Sequence, residues 1–349
     1  MKALLLSEYK HLEVTDVPTP ELGPREVLVQ VAACGICGSD VHGYDGSSGR
    51  RIPPIVMGHE AAGIITSVGS EVSNFAPGDR VTFDSTVYCG ECEFCLKGDV
   101  NLCNNRQVIG VSCGEFKRAG AFAEYVTVPV HIVYRLPDAL SFAEAAMLEA
   151  VSVALHAVRV SKLKGGETAL VIGAGMIGLL VLQAARAAGC SRVFVADVDG
   201  TRLKLAATLA ADATIEASGE GLVQEILRLT GGGVDVVFEA VGRNETVAGA
   251  IDCVRKGGTV TLVGNIASEV SLPLQKVVTR QIRLQGSCAS AGEYPEAMEL
   301  LAQGKIQVGP LITAVAPLSD GPGWFQRLYD REPNLMKVIL DPRKNEAAR

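Results

Sequence analysis

Three groups of side chains have types and spacings that could do chemistry. The first lies in Cys34-Gly-Ile-Cys37-Gly-Ser39-Asp40-Val-His42 and, after a run of small and basic residues, in Pro53-Pro54-Ile-Val-Met-Gly58-His59-Glu60. A thiolate, an imidazole and a carboxylate from Cys37, His59 and Glu60 can converge on one ion. Soft S, borderline N and an O donor together suit Zn²⁺. Gly35, Gly38 and Gly58 allow the tight turns that such short side chains need. The alternative is an ordinary buried cysteine and a hydrogen-bonded core histidine.

The second group is Cys89-x2-Cys92-x2-Cys95-x7-Cys103, with Gly90 and Gly98 at the reversals. Four thiolates at this spacing form a closed tetrahedral shell with no position left for a substrate, which is the signature of a structural zinc. An iron–sulfur cluster is the competing reading of any four-cysteine set.

The third is Gly173-Ala-Gly175-Met176-Ile177-Gly178, preceded by the apolar run Thr168–Ile172 and followed by an apolar helical pattern. A strand that enters a helix through Gly-x-Gly-x-x-Gly offers free N–H groups to a pyrophosphate. A second strand, Arg192–Asp197, ends in an acid at the expected separation of about 20 residues. Asp197 should accept the ribose hydroxyls and repel a 2′-phosphate, which favours NAD over NADP. Arg202 is close enough to soften that preference, although the next helix is its other place. Gly242 and Gly264 fall at strand ends, where such sheets bind ligands. Together with Val241 they should edge the nicotinamide half of the site.

Glu149 stands inside the apolar run Met147–His156. A buried charge needs a partner or an ion, so Glu149 is a further donor for the first group, unless the helix turns it to solvent. His156 is read as helix packing.

These groups need elements to hold them. Residues 1–33, 61–87 and 120–137 read as short strands broken by Gly and Pro. From Thr168 onward, apolar strands alternate with helical segments near 201–211, 221–230 and 244–256. The strands lie at Ala213–Glu216, Val234–Glu239, Gly258–Gly264 and Ile282–Gly286, giving six in a doubly wound parallel sheet. The expected division is a β-rich domain over 1–153 with the cysteine lobe at 88–104, a dinucleotide-binding domain over 154–287, and a return to the first domain over 288–349. Leu335–Leu340 reads as an edge strand of that return, and the charged tail from Pro342 as loose.

The net charge of −7 is scattered, with no basic run for nucleic acid and no basic amphipathic helix for a membrane surface. The first residues are too little apolar for a signal peptide. The most apolar run, Ala169–Leu182, is too short to span a bilayer and contains three glycines. The expectation is a cytoplasmic protein whose ten cysteines form no disulfide framework.

The order of these motifs resembles the zinc-dependent medium-chain dehydrogenase/reductase superfamily over essentially the whole chain. Gly35-Ile-Cys37-Gly-Ser39-Asp40-Val-His42, Gly58-His59-Glu60, the cysteine lobe and the glycine-rich turn carry the resemblance. It is strongest to the polyol branch of sorbitol and galactitol-phosphate dehydrogenases, where a Glu at the place of Glu149 replaces a zinc thiolate.

The resemblance implies an α/β chain with a GroES-like β-rich catalytic domain and a Rossmann six-stranded parallel sheet. It implies two Zn²⁺ per chain, one catalytic and one structural, together with NAD(H). Cys37 and His59 would ligate the catalytic zinc, joined directly or through water by Glu60, Glu149 or both. Asp40 would orient His59. Zinc would lower the pKa of a small-molecule alcohol, Ser39 would take the proton, His42 would relay it, and hydride would pass to NAD⁺. It also implies a homodimer or homotetramer paired through Val270–Gly286.

The sequence departs from the pattern in two places. Ala150 follows Glu149 where sorbitol-type members have Pro, and Ser287-Cys288-Ala289-Ser290 replaces an Arg-Tyr pair, which puts sorbitol itself in doubt. Arg50 and Arg51 could meet a substrate phosphate or carboxylate, or lie in a solvated loop. The competing functions are an amino-alcohol dehydrogenase of the threonine 3-dehydrogenase kind and a non-catalytic dinucleotide-binding protein.

Overall fold

The computed structural model describes residues 1–114 and 116–344. Residues 345–349, part of the tail expected to be loose, lie outside the described residues. The chain forms two compact units. The first holds Met1–Glu149, Tyr294–Ala302 and the residues from Leu311 on, and the second holds Ala150–Glu293 with Gln303–Pro310. The division therefore falls between Glu149 and Ala150 rather than after 153. The helix Leu148–Ser161 runs through it with no break in its apolar pattern. The return begins at Tyr294, not at 288, and residues 303–310 belong to the second unit.

The main sheet of the first unit is built on Glu26–Gly35, a β-branched run that is buried almost throughout. It pairs antiparallel with Glu60–Val68 along most of its length. Its other edge carries Tyr125–Pro129 toward the start and Lys337–Asp341 toward the end. Lys337–Asp341 is thus an interior strand, also paired with Ile312–Pro317, and not the edge strand its sequence position implied. Every one of its residues is buried, and a short apolar run reads the same at an edge as inside a sheet. Leu4, Phe83, Phe122, Phe325 and Leu340 are fully or almost fully buried in the core around this sheet. Two helices stand around Glu149: Phe142–Ala145, which Ser141 and Glu144 start with a reciprocal capping box, and Leu148–Ser161, which carries it.

The second unit is a six-stranded, wholly parallel sheet. Numbered within the unit, its strands lie in the order 3-2-1-4-5-6, the doubly wound order whose switch point lies beside the first strand. Its core gathers Leu170, Phe194, Ile226, Val237, Ile251 and Val260. The fifth strand begins at Val254, because the helix expected to reach 256 stops at Cys253. The strand expected at Ile282–Gly286 is Arg283–Gly286, the edge of the sheet, and Leu274–Thr279 before it is helical. None of the ten cysteines is joined in a disulfide among the described residues. Among the described residues, no helix is long and apolar enough to cross a membrane.

Candidate active site and cofactor cradle

The strand Glu26–Gly35 delivers the chain to Cys37, which caps the short helix Gly38–Tyr44. The Cys37 Sγ accepts the Ser39 N–H, and the Cys37 N–H donates to Asp40 Oδ2 at 3.3 Å. This capping arrangement fixes the thiol at the mouth of the helix. Glu60 pairs in register with Gly35. A side chain at 35 would lie 2.3 Å from Glu60 Oε2, so only glycine lets that carboxylate cross the strand end.

The donor atoms of Cys37, His59 and Glu60 all lie within 4.8 Å of one another. His59 and Glu60 are buried and Cys37 is half-buried. Such convergence of S, N and O donors fits a zinc ion with a position to spare. Glu149 is not in that group. It stands near enough for His59, Glu60, Asp84 and Lys337 to act on its charge, and dehydration, opposed by His59, lifts its carboxyl to about 7. Of the two carboxylates considered as partners of Cys37 and His59, Glu60 converges with them and Glu149 stands nearby as a neutralisable carboxyl.

Asp40 is fully buried. Burial favours its neutral form, but His59 and Arg51 outweigh this and hold the carboxyl well below the usual range. Its Oδ1 lies 3.4 Å from His59 Nδ1. That is a close charge contact without the alignment of a full hydrogen bond, which leaves the ring nitrogen unsatisfied. Burial lowers the His59 pKa, yet Asp40 and the Cys37 sulfur raise it well above the ordinary imidazole value. Ser39 and His42 are both exposed on the same helix.

Two residues of this site were not recognised in the sequence. Lys337 is 2% exposed and donates to Glu60 Oε2 at 2.5 Å and to the Ile36 carbonyl at 3.0 Å. Burial works against its charge, but Glu60 keeps its pKa above the ordinary lysine value. A lysine inside Leu-Met-Lys-Val-Ile-Leu carried the same signal that drew attention to Glu149. Arg51 is the second. It is buried, donating to Asp40 and Ser39, and so is neither a solvated loop residue nor free for a substrate anion. Its neighbour Arg50 is exposed.

The four lobe cysteines close around one point. Sγ–Sγ separations are 3.5 Å for Cys92–Cys95, 3.6 Å for Cys89–Cys103 and 3.9 Å for Cys89–Cys95. Four sulfurs bound at about 2.3 Å in a tetrahedron stand about 3.8 Å apart, so the lobe fits one zinc. Backbone N–H donors from Cys95 and Asn104 bring the Cys92 thiol down to about 6, toward the thiolate a metal requires.

In the second unit Gly175 caps the helix Met176–Ala187 with no side-chain partner, and a Cβ there would meet nothing within 4 Å. A Cβ at Gly178 would strike the Gly173 carbonyl at 1.7 Å. The turn is thus packed on its inner side and open on its outer side, where a pyrophosphate would lie. Met176 and Ile177 form the first turn of the helix. Asp197 ends its strand with Oδ2 accepting the Ala174 N–H at 2.6 Å and Oδ1 accepting that of Asp199 at 2.9 Å. Each carboxylate oxygen keeps a lone pair for a ribose hydroxyl. Arg202 pairs with Asp199 at 3.5 Å in the first turn of the next helix. Val241 and Gly264 meet between two strand ends, and a Cβ at 264 would lie 2.3 Å from Val241 backbone. His156 hydrogen-bonds Glu293 at 2.9 Å, and both belong to this unit.

Comparison with known proteins agrees with this geometry. Residues 23–138 match the alcohol dehydrogenase GroES-like domain and residues 177–303 the zinc-binding dehydrogenase family. The chain is 39% identical to the L-idonate 5-dehydrogenase of Vitis vinifera, over 90% of this chain and 86% of that protein. It is 34% identical to the sorbitol dehydrogenase of Bacillus subtilis strain 168, over 99% and 98%. A Sinorhizobium meliloti 1021 protein assigned to the zinc-binding dehydrogenases and bound to NADP superposes with a TM-score of 0.88 at 34% identity, covering 98% of this chain and 99% of that one. The chain therefore belongs to the zinc-dependent medium-chain dehydrogenases of the polyol dehydrogenase-like branch, oxidoreductases that use zinc and a nicotinamide dinucleotide.

Proposed function

We propose that this enzyme oxidises a secondary hydroxyl of a sugar alcohol to the ketone, with NAD⁺ as acceptor. The observation that carries the reading is the convergence of Cys37, His59 and Glu60 next to the exposed hydroxyl of Ser39. The similarity to idonate and sorbitol dehydrogenases supports a polyhydroxylated substrate.

When bound, zinc supplies Lewis acidity and NAD⁺ supplies the hydride acceptor. Cys37, His59 and Glu60 hold the metal, and Asp40 orients His59. Glu149 tunes the charge beside them. Ser39 Oγ accepts the proton of the substrate hydroxyl, and His42, one helical turn on, passes it outward. Gly173, Gly175, Met176, Ile177 and Gly178 receive the pyrophosphate, and Asp197 receives the adenosine ribose. Arg202, engaged with Asp199, leaves Asp197 to select NAD over NADP. The four lobe cysteines hold a second, structural zinc. Because Arg51 is committed to Asp40 and Ser39, Arg50 is the arginine of this pair left exposed to meet an anionic substrate.

The test is reduction of NAD⁺ and of NADP⁺ by sorbitol, xylitol, L-idonate, galactitol 1-phosphate, 2,3-butanediol and threonine, each with and without chelator. Chelator-sensitive turnover of a neutral polyol with NAD⁺ is expected. Turnover of threonine alone would sink the polyol reading.

We also propose that a second copy of the chain covers the edge strand Arg283–Gly286. Ile266, Val270, Leu272, Leu274 and Val278 are exposed beside it, an apolar run that a lone sheet edge leaves prone to pairing. Sedimentation should give a dimer or tetramer, and a monodisperse monomer at micromolar concentration would refute it.

A further inference from the structure

We propose that Arg51 is a positioning residue of the reaction, holding Ser39 and Asp40 from one guanidinium and setting the direction in which the Ser39 hydroxyl passes its proton. The proposal rests on the reading of Ser39 as proton acceptor given above.

Arg51 is 3% exposed. Its Nε and Nη2 donate to Asp40 Oδ1 at 3.2 and 2.9 Å, and Nη2 also donates to Ser39 Oγ at 2.9 Å. The fold makes room for this side chain. A Cβ at Gly43 would fall 2.0 Å from the Arg51 Cγ, so the helix carrying Ser39 and Asp40 is pared down where the stem crosses it. Asp40 is then gripped from two sides, by Arg51 at Oδ1 and by the Cys37 N–H at Oδ2.

The chemistry follows from the donor inventory. A guanidinium has donors only, so Ser39 Oγ must be the acceptor in their contact. The serine's own proton cannot point at Arg51. The oxygen keeps one lone pair for an incoming proton and one O–H to give away. A serine without this contact turns freely, accepting or donating in any direction. Arg51 thereby restricts a free rotor to a single line of proton transfer, which serves oxidation and reduction alike, and the same group neutralises the buried Asp40 that faces His59.

The zinc-loaded full chain would be compared with Ser39→Ala, Arg51→Met, Arg51→Lys and the double variant Ser39→Ala/Arg51→Met. The readouts are kcat and KM with the best-used polyol of the panel, KM for NAD⁺, and zinc release to a coloured chelator, which needs no substrate. Arg51→Met should lower kcat about 30-fold, within the range of acid–base contributions, and leave KM for NAD⁺ within about twofold. In the Ser39→Ala background the same change should cost less than about threefold, since both act through one proton path. Zinc release from the open site should quicken about tenfold in Arg51→Met, as for other residues behind a ligand. Arg51→Lys keeps the charge beside Asp40 but not the fork, so zinc release should return toward wild type while kcat stays low. If Arg51→Met does not fold, Arg51→Lys with and without Ser39→Ala carries the test. Losses that multiply in the double variant would overturn the proposal and leave Ser39 in place. Wild-type kcat and zinc release in Arg51→Met would overturn it outright. Wild-type kcat in Ser39→Ala would remove the reading of Ser39 and this proposal together.

Discussion

The two metal-donor clusters of the first unit are built on opposite plans. The lobe takes its donors from one short segment, and its most separated pair, Cys89 and Cys103, is 14 residues apart. The other cluster takes Cys37 from a helix cap and Glu60 from a strand, and braces Glu60 with Lys337, 277 residues away. The first is four like donors that would saturate an ion. The second is three unlike donors that leave a position open, with Asp40, Arg51, Glu149 and Lys337 adjusting charge around them. A closed shell can serve only stability, whereas an open one needs tertiary structure to keep it open and correctly charged.

The sharpest way to break this comparison is to remove one donor from each cluster. His59→Ala should lower kcat/KM by about 1,000-fold, or about 4 kcal/mol, with a modest change in thermal midpoint. Cys92→Ala should do the reverse: kcat/KM per folded molecule within about threefold, and a midpoint lowered by about 5 °C or more. Equal activity losses in both would mean the lobe is not merely structural.

Next in size is the ion pair behind the open site. In the zinc-free chain, Lys337→Met leaves Glu60 buried and unpaired and should cost about 3 kcal/mol in urea unfolding, while Glu60→Gln/Lys337→Met should recover part of that. Additive losses in the double variant would mean the two do not act as a pair.

Graded chelation gives a smaller, kinetic contrast. The open cluster should lose its zinc first, activity falling with the first equivalent released while the fold persists. A single cooperative loss of both metals would erase the distinction.

The smallest effect concerns Glu149 in the zinc-free chain. Its folded pKa of about 7 lies above the ordinary 4.5. The folded state therefore binds more protons between those values, and its stability falls as pH rises through that window. The favourable contribution is complete below about 4.5 and gone above about 7. Glu149→Gln should flatten this slope. An unchanged slope would mean that Glu149 is hydrated.

What the sequence revealed follows the same divide. The lobe and the glycine-rich turn were legible because their meaning is local: spacing alone brings the thiols together, and strand, turn and helix are contiguous. The six-strand alternation was legible for the same reason, whereas the order of the strands in the sheet was not. Cys37, His59 and Glu60 could be named because Gly-rich turns flank them. Their surroundings could not. Arg51 looked like half of an exposed basic pair, and nothing in Gly-Arg-Arg-Ile tells one arginine to turn inward and the other outward. The place of Lys337–Asp341 inside the sheet was hidden because periodicity reports burial, not neighbours.

The strand that carries Lys337 has a consequence for how the molecule comes into being. The second unit is almost continuous in sequence and can close while the ribosome is still extending the chain. The first unit cannot. Its main sheet lacks an interior strand, and Glu60 lacks its counter-charge, until Lys337–Asp341 has emerged and threaded between Glu26–Gly35 and Ile312–Pro317. The part made first is thus finished last, so a nascent or prematurely ended chain would hold the whole second unit while Glu60 of the first still has no partner.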